Sequence, residues 1–226
     1  MKITVDELAR CVDYTLLRPE ATPQDIRRLC MSADTYQFAA VCVNPIYVEI
    51  AADELKGSSV KVCTVIGFPL GATFPEVKAF EAQEAVRHGA EELDMVMNIG
   101  ALRNQQYGVV REDIEAVVDA VDGYLVKVIL ETGLLTSTEK RHACKLAKES
   151  GAHFVKTSTG FGPGGATVED IQLMREVVGE SMGVKASGGI RTFETALQLI
   201  EAGATRLGAS AAVDIIESYK SHLERL

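Results

Sequence analysis

The sequence has no tryptophan, only four histidines and six prolines in 226 residues. The histidines do not suggest a metal site. His88, His142 and His222 fall in helix-patterned stretches without HxxxH or HExxH spacing, and His153 stands at the start of a strand rather than its end. No CxxC pair occurs. The five cysteines (Cys11, Cys30, Cys42, Cys63 and Cys144) are odd in number, so they read as reduced core thiols of a cytosolic chain. Basic excess is also missing: 23 Lys and Arg face 32 Asp and Glu, for a net charge of −9. That argues against nucleic acid as a partner, though local positive groups can still hold a small anion. No stretch reaches the roughly 18 apolar residues a membrane span needs. The opening MKITVDELARCVDYTLL lacks the apolar core of a signal peptide. A soluble, cytoplasmic protein with no membrane partner is expected.

Linkers rich in Pro, Ser or Gly are absent too, which predicts one domain over 1–226. What fills it is 47% hydrophobic. Short Val- and Ile-rich runs recur at 38–43, 60–68, 92–98, 125–130, 153–156, 183–187 and 205–210, with a weaker one at 11–17. They read as strands buried on both faces. Amphipathic segments alternate with them. The first, at 22–34, has Thr22 as N-cap and Pro23 at its first position; those at 76–89, 136–151 and 193–203 each end on glycine. A short helix over about 4–10 precedes the first strand. Eight βα units with no boundary predict an α/β fold, a closed (β/α)8 TIM barrel with a short N-terminal helix. An open doubly wound sheet fits less well, because no GxGxxG follows the first strand.

Barrel enzymes carry their chemistry at the C-terminal ends of the strands. Asp94, Lys127, Lys156 and Lys185 are ionisable groups on otherwise apolar strands, which is costly unless they are paired or functional. Lys156 (in FVKTSTGFG) and Lys185 (in VKASGGIR) occupy matched places on adjacent strands, each followed by a small-residue loop. Two ammonium groups roughly 6 Å apart at an effective dielectric of about 20 repel by about 3 kcal/mol, enough to free one amine for imine chemistry. Either lysine could instead pair with a carboxylate, and spacing alone does not say which would bond a substrate. Asp94 is the candidate general acid/base. Lys127 is expected in a supporting role, paired with Asp94 or Glu131. Gly188, Gly189, Gly208 and Ser210 resemble a phosphate cradle, since glycine lets backbone N–H groups approach an anion. Cys42 ends its strand and is expected to line the pocket without doing chemistry. These loops equally suit another phosphate-binding barrel enzyme, or a non-catalytic sugar-phosphate binder.

VKTSTGFG and VKASGGIR, together with ELDMVMNIG, CVNP and DYTLL, closely resemble the deoxyribose-phosphate aldolase family, in order from Asp13 to Ser210. The resemblance implies a class I lyase that needs no metal and no cofactor. It would convert 2-deoxy-D-ribose 5-phosphate reversibly into D-glyceraldehyde 3-phosphate and acetaldehyde, in deoxynucleoside catabolism. It implies Lys156 as the Schiff-base lysine, Lys185 as the second lysine that activates it, and Asp94 as the proton donor and acceptor. Gly160, Gly188, Gly189, Gly208 and Ser210 match phosphate-loop positions; Asp13, Thr15, Cys42 and Thr159 match pocket-lining ones. The implied partners are the sugar phosphate and acetaldehyde. A homodimer or higher homo-oligomer is compatible with the sequence, which marks no face for one. Phe161 stands where some relatives carry lysine, Ala211 where some carry a second serine, and the chain ends in HLERL where some end in tyrosine. Tyr219 is expected inside the last helix.

Overall fold

The structure, a computed structural model, describes residues 3–225. Eight parallel strands form a closed barrel in chain order: β1 (Val12–Leu16), β2 (Ala40–Val43), β3 (Lys61–Ile66), β4 (Glu92–Val96), β5 (Leu125–Ile129), β6 (Phe154–Lys156), β7 (Gly183–Ser187) and β8 (Arg206–Ala209). Pairing of Asp13 with Gly208 between β1 and β8 closes the ring. The predicted barrel and its eight strands are therefore present, with ends trimmed by one or two residues. The run at 60–68 stops at Ile66, for example, because Gly67 turns the chain with a φ of +62°.

The helices are α1 (Val5–Ala9), α2 (Pro23–Tyr36), α3 (Val48–Glu54), α4 (Pro75–Arg87), α5 (Ile99–Arg103), α6 (Tyr107–Ala120), α7 (Ser137–Glu149), α8 (Val168–Val178), α9 (Phe193–Glu201) and α10 (Ala212–Leu223). Thr22 caps α2 and Thr136 caps α7 through reciprocal bonds with Asp25 and Glu139. Each such cap satisfies N–H groups that would otherwise lack a partner, and is typically worth about 1 kcal/mol. Among the described residues no helix is long and apolar enough to cross a membrane.

Strand alternation divides the interior in two. One set of side chains faces the helices and forms the main apolar core: Val41, Val62, Leu93, Met95, Val126, Val128, Val155, Val184 and Leu207. The intervening residues face the barrel axis. On β2 and β3 these are Ala40, Cys42, Cys63 and Val65, a small apolar cluster with Leu17. On the other strands they are mostly charged and include Asp13, Glu92, Asp94, Lys127, Lys156, Lys185 and Arg206. Six of these seven are buried, and Arg206 is nearly so. Barrel interiors are usually packed with branched aliphatic side chains, so this is an unusual lumen.

A separate buried pair secures the β3 and β4 ends. Lys78 on α4 donates to Asp113 on α6 (2.7 Å) and to the Val96 carbonyl (2.8 Å), and Asp113 accepts from the Asn98 N–H (2.9 Å). Burial lowers the Lys78 ammonium and raises the Asp113 carboxyl, and each partner offsets that only in part. Removing one partner strands the other. Lys78→Met should cost about 3 kcal/mol in urea denaturation, and Lys78→Met/Asp113→Leu should recover most of it.

Candidate active site

Asp94 lies at the centre of the lumen. Its register partner on β5 is Lys127, and Lys156 of β6 pairs with Lys185 of β7. Lys127 donates to Asp94 Oδ1 at 2.7 Å. Lys156 and Lys185 both donate to Oδ2, each at 2.7 Å. The two lysines thus point into one pocket and converge on a single oxygen, with a carboxylate between them that offsets their mutual repulsion. Lys185 also bonds Asp13, which in turn accepts from Arg206 at 2.7 Å. Glu92 takes Lys127 at 2.8 Å and Arg206 at 3.2 Å. Lys127 therefore supports the site through Asp94 and Glu92. Its other expected partner, Glu131, instead binds Thr159 in the loop after β6.

Burial would push the Asp94 carboxyl up, but the ammonium groups of Lys127, Lys156 and Lys185 outweigh it and hold Asp94 well below the usual carboxylate range. Burial likewise opposes the charge on Lys185, yet Asp13 and Asp94 overcome it and keep that ammonium protonated well past its ordinary value. Lys127 is raised in the same way, chiefly by Asp94, Cys63 and Glu92 against burial. Asp13 is pushed up by burial and pulled down further by Lys185, Arg206 and Lys127, from 3.8 to about 2. A carboxyl depressed in the fold stabilises the protein above its unfolded value and ceases to do so as pH falls through its folded one. Acid unfolding followed by circular dichroism should therefore set in below pH 3.8 and continue toward about 2.

Above the lysines opens a cavity of about 220 Å³ at the C-terminal mouth. Eight of the sequence-predicted residues line it: Lys156, Thr159, Gly160, Gly188, Gly189, Gly208, Ser210 and Thr15. Gly188 and Gly189 take positive φ of +89° and +78°, a backbone that glycine permits and that lets a ligand approach the main chain closely. Behind Ser210, α10 begins at Ala212 with Ala211 as an N-cap that makes no side-chain bond, so the positive end of that helix is open to an anion. The strands beneath are fixed by reciprocal bonds. Thr157 Oγ1 donates to the Ser187 carbonyl (2.9 Å) and accepts its N–H (3.0 Å), while Ser187 Oγ donates to the Ser158 carbonyl (2.6 Å).

Asp94 and Lys185 are buried beneath the cavity rather than lining it. Two expected pocket-lining residues also lie elsewhere. Asp13 is below the floor, paired with Lys185 and Arg206, and Cys42 packs among Ala40, Cys63 and Val65 inside the barrel. Both face the axis; Cys42 is the register partner of Thr15 on β1, and its thiol lies within 4.8 Å of an Asp94 carboxylate oxygen. Phe161 stacks edge-on against Phe68, with ring centroids 5.3 Å apart, and lines a neighbouring apolar cleft instead of the cradle. Tyr219 is in α10 as expected; its hydroxyl donates to the Ile3 carbonyl at 2.6 Å, which makes it a tether for the N-terminal segment.

Sequence reasoning missed three residues here. Arg191 lines the cavity and has no salt-bridge partner among the described residues, which places a cation beside the glycine loops. It follows Gly188–Gly189 closely enough that its place in SGGIR was the available signal. Glu92 and Arg206 complete the lumen. They sit two residues before Asp94 and Gly208, and that period of two was the signal for them. Donor atoms lie within 4.8 Å of one another in two groups, Cys42–Cys63–Asp94 and Asp13–Cys63–Glu92. Lysines neutralise the carboxylate of the first group, and lysine and arginine those of the second, where a metal cation would have to sit. The histidines are engaged elsewhere, His153 with the Val126 N–H and His142 with Tyr107.

The sequence matches the family described as DeoC/LacD family aldolase over residues 9–217. A curated deoxyribose-phosphate aldolase from Clostridium tetani is 58% identical over 215 residues, covering 95% of this chain and 100% of its own. Deoxyribose-phosphate aldolase 1 of Bacillus licheniformis is 60% identical, covering 93% of this chain and 95% of its own. Among solved structures, a deoxyribose phosphate aldolase from Aeropyrum pernix, described as a unique tetramer, superposes with a TM-score of 0.91 at 36% identity, covering 97% of this chain and 93% of that one. With its closed barrel, its lysine-rich lumen and these matches along nearly its whole length, the chain belongs to the DeoC/LacD family of aldolases.

Proposed function

We propose that the protein cleaves 2-deoxy-D-ribose 5-phosphate reversibly to D-glyceraldehyde 3-phosphate and acetaldehyde, as a class I lyase acting through a lysine Schiff base. The observation that carries this reading is the convergence of Lys156 and Lys185 on one oxygen of Asp94, directly beneath a cavity walled by glycine loops.

Charge balance selects the nucleophile. The lumen holds three carboxylates, Asp13, Glu92 and Asp94, against four cations, Lys127, Lys156, Lys185 and Arg206. One cation is in excess. Lys156 has a single carboxylate partner, whereas the other three have at least two each, and of the four only Lys156 lines the cavity. Lys156 is thus the lumen amine least held by carboxylates and the one that faces the ligand.

That amine attacks the open-chain C1 aldehyde, and loss of water leaves a protonated imine, an electron sink. The C3 hydroxyl gives its proton, through a water, to Asp94. The C2–C3 bond breaks, the C3 oxygen becomes the aldehyde of glyceraldehyde 3-phosphate, and the electron pair stays on C2 as an enamine. Protonation at C2 and hydrolysis release acetaldehyde. Gly188, Gly189, Gly160, Ser210, the open end of α10 and Arg191 hold the phosphate. Purified protein should cleave deoxyribose 5-phosphate without added metal and in EDTA. Borohydride with acetaldehyde should add the mass of an ethyl group to the peptide bearing Lys156. Label on another residue, or none, refutes the assignment.

A further inference from the structure

We infer that Glu131 is a positioning residue that shapes the phosphate side of the cavity from behind, acting through Thr159. The inference rests on the aldolase reading.

The backbone presents Glu131 in an unusual way. The N–H of Leu130 donates to the Lys156 carbonyl and that of Thr132 to the Thr157 carbonyl, so β5 advances two residues while β6 advances one. Glu131 is the extra residue, a bulge, and its φ of +55° is left-handed, a conformation that glutamate rarely takes. Bulges re-aim side chains. This one sends a carboxylate sideways, buried and away from the lumen lysines, to the loop that follows Lys156.

There the carboxylate accepts the Thr159 hydroxyl in a short bond and the Thr159 N–H at 3.3 Å. Thr159 Oγ1 in turn accepts the N–H groups of Phe161 (3.0 Å) and Gly162 (3.3 Å). The packing leaves no slack: a Cβ built at Gly162 would lie 2.7 Å from the Glu131 carboxyl carbon. At its far end the same loop is held by the Ala166 N–H on the Gly188 carbonyl, at 3.0 Å. The segment 159–166 therefore runs from Glu131 on one side to the glycine cradle on the other, with Thr159 and Gly160 on the cavity wall between. Glu131 fixes the end of this span nearest the Schiff-base lysine. Its bonds reach the cavity wall only through Thr159, and none is made to Lys156 or Asp94.

Phosphate binding should then depend on Glu131 while the imine chemistry does not. Two amide variants separate reach from charge. Glu131→Gln keeps an oxygen at the right distance. Glu131→Asn tolerates the left-handed backbone but falls one methylene short of Thr159. With deoxyribose 5-phosphate, Glu131→Asn should raise KM by about tenfold or more with kcat within about threefold, and Glu131→Gln should stay within about threefold in both. With unphosphorylated 2-deoxy-D-ribose, kcat/KM of Glu131→Asn should match the unmodified protein within about threefold. Calorimetric titration with glycerol 3-phosphate reads the cradle without any reaction, and there too Glu131→Asn should weaken binding by about tenfold. Equal losses on both sugars, a loss in kcat alone, or unchanged glycerol 3-phosphate binding overturns the inference. Failure of the unmodified protein to cleave deoxyribose 5-phosphate would overturn the aldolase reading instead, and the calorimetry would still judge Glu131.

Discussion

Lys156→Leu is expected to lower kcat for deoxyribose 5-phosphate cleavage by about 10⁴-fold or more and to abolish borohydride trapping of acetaldehyde. The size follows from the chemistry: without the amine there is no imine, and nothing else in the cavity stores the electron pair released from the C2–C3 bond. The fold should survive. Lys156 is the lumen's surplus cation, and its loss leaves Asp94 bonded to Lys127 and Lys185. An unchanged circular dichroism spectrum with no trapped adduct is the expected pair of results. Trapping that persists in the variant would move the imine to another lysine, with Lys185 the next candidate.

Asp94→Asn should damage both stability and turnover. Three ammonium groups meet on this carboxylate in a fully buried place. An amide there leaves the lumen with two carboxylates and an uncompensated cluster of cations, at a cost of about 3–5 kcal/mol. Turnover should fall by about 10²–10⁴ through loss of the proton acceptor. The two effects can be separated. Adding Lys127→Met removes one excess cation and should restore most of the stability seen in urea titration, while kcat stays low. If the double variant recovers turnover along with stability, Asp94 is a structural counter-ion and not the proton relay.

Much of this arrangement was legible in the sequence, for physical reasons that also mark where legibility ends. Buried parallel strands are short apolar runs, and β7 appears in the sequence with the ends it has in the fold, Gly183 to Ser187. Helices that begin on threonine caps and end on glycine, such as α7 and α9, are equally visible. Helices α3 and α6 lack a side-chain cap and were not read. The lysines and Asp94 stood out because charge on an apolar strand demands a reason. Depth along the barrel axis leaves no such mark. Asp13 faces inward like Thr15, yet it is buried two residues earlier on the same strand while Thr15 reaches the cavity. The partner of Glu131 was hidden as well, since a bulge changes the direction of a side chain without changing its neighbours in the sequence.

The alternation of the strands has a practical meaning for variation in this protein. Heat tolerance and chemistry are written on alternate letters of the same eight words. Aliphatic exchanges at Val126, Val128, Val155 or Val184 alter the sheath between barrel and helices, while their immediate neighbours Lys127, Lys156 and Lys185 look the other way. An engineer or a lineage can thus adjust the temperature range through one set of positions and leave the catalyst in the other untouched.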